Sequence, residues 1–200
     1  MVRQRLKADE RKARTLTRVT EVFAQKGFDG TTSADLARAA GVSEAMLYKL
    51  FGSKRRLYRA MIEHKLAEAG WGDVVADPSD DPEAFFTAMA EAIFARVEED
   101  PDFVRLLLFS DLQGSGFAET FHEVQGGAVL AAVGDYVRAR VADGRFRGDA
   151  NPDVVAVAFL LTCWQYAVAT KLFATDRIPR ARDDEVIATL VGLFLRGVET

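Results

Sequence analysis

The chain has 200 residues, 49% of them apolar and 28% charged, with a formal net charge of −4. These proportions sit at the upper end of one globular domain with a real core, which excludes a disordered chain, a collagen and a disulfide-stapled miniature. Its single cysteine, Cys163, cannot close an intramolecular bridge, and Met1 opens no basic-then-apolar leader pattern, so a cytoplasmic chain is expected. The longest uncharged run, Val154 to Thr170, is shorter than the ~20 apolar residues a bilayer span needs and contains Thr162 and Gln165, so it reads as a buried helix with no membrane partner.

The total charge hides an asymmetry. Up to Lys65 there are fifteen Lys and Arg against seven Asp and Glu, a net of +8, while the rest of the chain carries −12. A basic end on an acidic body suits a protein that approaches a polyanion by one face; the bland alternative is a set of solvated helix surfaces.

Apolar positions recur at helical rather than alternating spacing, so the fold class is all-α, with about nine helices. A basic arm, 1–14, precedes a first helix marked by Leu16, Val19 and Phe23 and ended by Lys26-Gly27. Thr32 and Asp35 resemble a capping box for a short second helix that stops at Gly41, and Ser43 caps a third carrying Leu47 and Leu50. Ser53 then caps a fourth helix running toward Gly70. Asp81-Pro82, Asp100-Pro101 and Asn151-Pro152 each place a capping side chain before a proline, predicting helices over roughly 83–99, 102–112 and 153–175. Between them 117–143 reads as one long helix despite three glycines, and 184–198 as the last, burying Ile187, Leu190, Val191 and Phe194. The expected domains are 1–52 and 53–200, with 53–70 as the connecting helix.

The second and third helices fit a helix-turn-helix. Ala37 lies where the two would cross closely, Gly41 lies in the turn four residues later, and Leu36, Val42, Leu47 and Leu50 point inward. Two helices at a steep angle need a small residue at the crossing and usually a glycine in the turn.

The run VFAQKGFDGTTSADLARAAGVSEAMLYKLFGSKRRLY, Val22 to Tyr58, resembles the DNA-binding segment of the TetR family of transcriptional regulators. Matching features are the Lys-Gly-Phe turn, the Thr-Thr opening, the Ala-x-x-Ala-Gly-Val-Ser turn and the Leu-Tyr-x-x-Phe-x-x-Lys close. Leu50, where the family often has His or Tyr, and Arg55-Arg56, where acidic or small residues are common, depart from it without breaking the motif.

A recognition helix enters the major groove by its N-terminal residues, which nominates Ser43, Glu44, Ala45 and Met46, with Lys49 one turn on, for base edges. Glu44 either accepts from a cytosine amine or is a helix-capping charge. Thr31, Thr32 and Ser33 offer hydroxyls at a helix N-terminus, itself an anion site. The resemblance implies that Tyr48 donates to a phosphate, the alternative being a core tyrosine, and that Lys54, with Arg55 second, contacts phosphate. The arm either tracks DNA or merely solvates the terminus.

One helix-turn-helix reads few base pairs, so the partners expected are double-stranded DNA with a palindromic operator and a second copy of the chain. The helix containing Phe159, Leu160, Leu161, Cys163, Trp164, Tyr166 and Val168 is apolar almost all round, and the last helix has Val186, Leu193 and Val198 beside its main stripe. These two helices are the expected dimer interface. The resemblance further implies a C-terminal site for a small apolar or aromatic ligand, with Phe86, Met89, Phe109, Phe121, His122, Phe159, Trp164 and Tyr166 as candidates, each also a plausible core residue. Ligand there would move the fourth helix and release DNA from a repressor. Two histidines, one cysteine and no catalytic motif argue against an enzyme, a metal site or a cofactor. The alternative function is a helical scaffold or co-regulator acting through protein contacts.

Overall fold

The computed structural model of the protein describes residues 2–68, 78–113, 127–173, 178 and 181–200. Nine α-helices lie among these described residues: α1 Val2–Gly30, α2 Ser33–Ala40, α3 Glu44–Phe51, α4 Lys54–Glu68, α5 Pro82–Glu99, α6 Pro101–Gln113, α7 Gly127–Ala142, α8 Pro152–Ala167 and α9 Asp183–Val198. Among the described residues, extended pairing is confined to an isolated antiparallel bridge between Phe146 and Glu199. The protein is all-α, as its periodicities predict.

The segment expected as an arm ahead of the first helix is helical from Val2 onward and continuous with α1. Residues 2–14 contain neither glycine nor proline, so nothing in them stops a helix propagating back from the packed part. Gly27 does interrupt α1, with φ 67° and ψ −179°. Of the helix expected over 117–143, the part from Gly127 is α7, and 117–126 lie outside the described residues, as do 69–70 and 174–175.

By their contacts the described residues divide into two units, one of 2–68 and 102–113, the other of 78–101 and 127–200. In the first, α1 packs on α2 and α4, and α3 on α2 and α4. Leu16, Val19, Phe23 and Ala24 of α1 meet Leu36, Ala37, Leu47, Leu57, Met61 and Ile62 in its core. Thr15 and Thr20, also buried, donate to Arg11 O and Leu16 O, both at 2.9 Å, so neither hydroxyl is stranded.

In the second unit α5 packs against α8 and α9, and α7 against α8. Aromatic rings fill its centre: Phe86 meets Phe159 edge-on at 4.7 Å and Phe146 at 6.4 Å, while Phe85 stacks on Tyr136 at 3.8 Å. The two Asx-Pro starts in this unit behave as written. Asp81 accepts from Glu83 N at 3.2 Å, and Asn151 from Asp153 N at 3.0 Å and Val154 N at 3.3 Å.

Helix α8 buries one stripe, Ala156, Phe159, Cys163 and Ala167, and continues into a π-helical turn, Val168–Leu172. Pro152–Leu172 is long and apolar enough to cross a membrane by length and composition; only one stripe of it packs against α5 and α7, so the buried helix expected from the sequence is buried on one side and exposed at Val154, Val157 and Leu161 on the other. Val186 and Val198 of α9, expected on an outer face, are buried within the chain; Leu193 stays exposed.

Ion pairs close the ends of this unit. Lys171 in the π turn reaches Glu98 of α5 at 3.0 Å and Asp183 of α9 at 2.7 Å. Asp80, just ahead of α5, is held by Arg140 at 2.6 Å and Arg145 at 3.1 Å, and both arginines also donate to its backbone carbonyl. Hydrogen bonds from Arg145 and then Arg140 hold the Asp80 carboxyl down at about 2. A depressed carboxylate stabilises the fold above its ordinary value and loses that contribution as pH falls through the folded one. Asp80→Asn is therefore expected to lower the urea midpoint at neutral pH, with the gap to the parent closing as pH is taken from 3.8 to about 2. A gap that persists at the acid end assigns the loss to packing instead of charge.

Candidate nucleic-acid interface

The helices α2 and α3 have eight residues each, too short to persist alone, so their ends are tied down. Thr32 accepts from Asp35 N at 3.1 Å while Asp35 accepts from Thr32 N at 3.2 Å, a reciprocal capping box. Hydrogen bonds from Thr32 and then Lys26 hold the Asp35 carboxyl down at about 2, and Lys26 lies 3.1 Å away at the end of α1. Ser43 caps α3 by accepting from Met46 N at 3.2 Å, and Ser53 caps α4 by accepting from Arg56 N at 3.2 Å.

The turn is built on Gly41, at φ 68°. Gly41 N donates to Arg38 O at 3.1 Å and Val42 N to Ala37 O at 3.0 Å, the paired bonds that end a helix in a left-handed residue. Arg18 of α1 adds a donor to Ala40 O at 3.3 Å. A cation on the last carbonyls of α2 also complements the helix dipole. The structure thus joins the two helices across Ala37 and Gly41, the positions that the motif requires.

The outward side chains differ in how they are engaged. Ser43, Glu44, Ala45 and Lys49 are exposed on α3 and Met46 is half-buried; Glu44 and Lys49 have no ion pair among the described residues. Tyr48 is half-buried and its hydroxyl meets the Ser33 hydroxyl at the start of α2, so two candidates from different helices share one hydrogen bond. Thr32 is exposed at its cap. Thr31 departs from expectation: it is buried, and its hydroxyl donates to Gly27 O at 2.6 Å, which makes it a brace for the turn after α1 and takes the side chain out of the outward set. Lys54 is half-buried with its ammonium 4.4 Å from the centre of the Phe28 ring, and Arg55 beside it is exposed. Arg18, Lys26 and Phe28 were not legible as contributors, because each acts on a residue of another element.

Of the ligand candidates, Phe86, Met89 and Phe159 are buried in the second unit's core, where Phe86 and Phe159 fill each other's space. Trp164 and Tyr166 are half-buried on α8, the latter stacked near Phe94 at 6.1 Å. Phe109 is half-buried on α6 in the first unit. Phe121 and His122 lie outside the described residues.

Two short capped helices joined by a left-handed glycine, braced by α1 and α4, define a helix-turn-helix protein. Residues 18–61 match the family described as bacterial regulatory proteins, tetR family. The repressor NicS of Pseudomonas putida is 25% identical over 198 residues, covering 96% of this chain and 93% of NicS. The activator FasR of Mycolicibacterium smegmatis is 31% identical over 109 residues, or 54% of this chain, and the match spans about half of FasR, 49%. The crystal structure of AibR in complex with isovaleryl coenzyme A and operator DNA superposes with a TM-score of 0.71 at 20% identity, covering 92% of this chain and 97% of AibR. Residues 18–61 therefore carry the DNA-binding segment of the TetR family, and the chain has the fold of TetR-family regulators.

Gly41→Ala should lower the unfolding free energy by about 1–2 kcal/mol in equilibrium urea melts, because an L side chain resists the left-handed region. The added Cβ would also stand 3.2 Å from Arg18 Nη1, so the guanidinium bonded to Ala40 O must shift by a few tenths of an ångström. A neutral substitution would show that the turn relaxes without it.

Proposed function

We propose that the protein is a cytoplasmic homodimeric repressor that binds a palindromic operator and is released from it by a small, mainly apolar ligand. The observation that carries this reading is the outer face of α3, where Glu44, Ala45 and Lys49 stand exposed on a helix whose inner face is pinned by Leu47. In this reading Ser43, Glu44, Ala45, Met46 and Lys49 reach base edges, and Thr32, Ser33, Tyr48, Lys54 and Arg55 reach phosphates. Repression is favoured over activation by NicS, a repressor matched over nearly its whole length.

The second copy is argued from α8. Val154, Val157 and Leu161 follow an i, i+3, i+7 spacing and are 62%, 37% and 60% exposed, with Leu193 on the neighbouring α9 at 57%. A monomer leaves this stripe in water, while a symmetric pair buries it and sets two recognition helices on half-sites ~34 Å apart. The ligand reading leans on AibR, solved with an acyl coenzyme A and operator DNA, and on the half-buried Trp164 and Tyr166. A ligand that prefers the released state by about 2.7 kcal/mol weakens operator binding about 100-fold.

Selection of duplexes from a random pool, followed by salt titration, tests the DNA reading. Affinity should fall steeply with salt, and Lys54→Ala should reduce the log-log slope by about one unit. Glu44→Ala should change the preferred base at one position of each half-site, whereas identical selected sites would make Glu44 a capping charge. A chain that selects no duplex is a scaffold, and the proposal falls.

Leu161→Glu should produce folded monomers in analytical ultracentrifugation that no longer bind a full palindrome, since an unpaired carboxylate cannot be buried at a dimer seam without a loss of several kcal/mol. An intact dimer would place the interface elsewhere.

A further inference from the structure

The first residue of α4 is a lysine, an unfavourable place for a cation: the helix N-terminus carries partial positive charge, and the first turn of α4 holds no acidic residue. What faces the ammonium is an aromatic ring. Lys54 Nζ lies 4.4 Å from the centroid of Phe28, within the range where a ring quadrupole attracts a cation. The ring does not move freely. Phe28 lies 5.1 Å from Tyr58 of α4 and 6.4 Å from Phe23 of α1, and Phe23 meets Tyr58 at 4.8 Å. Gly27, at φ 67°, turns the chain at the end of α1 immediately before Phe28.

We propose that Phe28 is a positioning residue for operator binding, seating the Lys54 ammonium over its ring so that the cation is held at the start of α4 before DNA arrives. This rests on the operator-binding reading above. A lysine on a flexible four-carbon stem otherwise loses its rotamer freedom at the moment of contact, and seating it beforehand removes part of that loss. The ring faces one side of the ammonium and leaves its remaining donors for a phosphate oxygen.

The test uses the full chain and the duplex it selects, with affinity and salt slope read by fluorescence anisotropy. Phe28→Leu keeps apolar bulk and removes the π face, so binding should weaken about two- to fivefold with an unchanged salt slope, because the charge that meets phosphate is still present. Phe28→Tyr keeps the face and should restore parental affinity. In a Lys54→Met background, Phe28→Leu should cause no further loss. Equal losses with and without Lys54 overturn the proposal, because Phe28 would then act through packing alone. A parent chain without duplex affinity overturns the operator reading and this proposal with it. A salt slope unchanged by Lys54→Met removes Lys54 from the interface and overturns the proposal while leaving operator binding itself intact. Should Phe28→Leu fail to fold by circular dichroism, the DNA-free parent decides by NMR. The ε-methylene protons of Lys54 should be shifted upfield by the ring current, and random-coil positions would overturn the seat.

Discussion

The relation between α2 and α3 depends on one left-handed residue. With φ of 68°, Gly41 lets the backbone amides of residues 41 and 42 fold back onto Arg38 and Ala37, so α2 ends there with these two carbonyls satisfied. A side chain there would have to hold a disfavoured conformation and crowd Arg18, the guanidinium that ties the same helix end to α1. Helices of eight residues have little stability of their own, and this end, the capping box at Thr32 and the buried Leu36, Ala37 and Leu47 replace what length would give. Everything that α3 could present outward inherits its position from that turn.

The second unit is stabilised differently. Its helices have 16 to 18 residues and need no such bracing; their packing centres on rings, with Phe86 touching Phe159, Tyr136 and Phe146. Charges work at its edges, where Lys171 joins α5 to α9 and Asp80 joins the start of α5 to Arg140 and Arg145. Because these pairs are solvent-exposed on at least one side, they specify which ends meet more than they add to stability. The feature left unresolved within one chain is the outer stripe of α8, which is as apolar as its buried one.

What could be read without coordinates was local. The Thr32–Asp35 box, the Asx-Pro starts at Asp81 and Asn151 and the glycine stops at Gly27 and Gly41 each involve residues within a turn of one another, so spacing alone exposes them. Contacts made between elements were not readable. Arg18 acts on a carbonyl 22 residues away, and Lys54 of α4 sits on a ring of α1 with α2 and α3 between them in sequence; Thr31 bonds locally to Gly27, but composition does not say which hydroxyl of the Thr-Thr pair turns inward. For the same reason periodicity could not separate Phe86 and Phe159, which fill the core, from Trp164 and Tyr166, which are half-buried. Nor could it place Val186 and Val198 inside the chain. The helical continuation of α1 back to Val2 was missed for another reason: charge drew attention to an arm, while the absence of any helix breaker was the stronger signal.

The state of the outward side chains constrains how this surface can meet a polyanion. Tyr48 and Ser33 already satisfy one another, Thr32 is committed to Asp35, and Lys54 lies over Phe28. A phosphate that engaged Thr32 would replace Asp35 as acceptor, an exchange of small net gain, whereas the Ser33–Tyr48 pair and Lys54 each keep a donor that their internal contact does not use. Lys49 and Arg55 have no ion pair to give up among the described residues. In the operator-binding reading proposed above, attraction at long range would come from these charges and from the basic α1, while the pre-engaged groups would contribute geometry. Their internal bonds hold the hydroxyls and the ammonium in place, so that in this reading a duplex would meet donors already positioned and affinity would depend on fit. In that reading the division between charge that attracts and dipoles that position would already be drawn before DNA arrives.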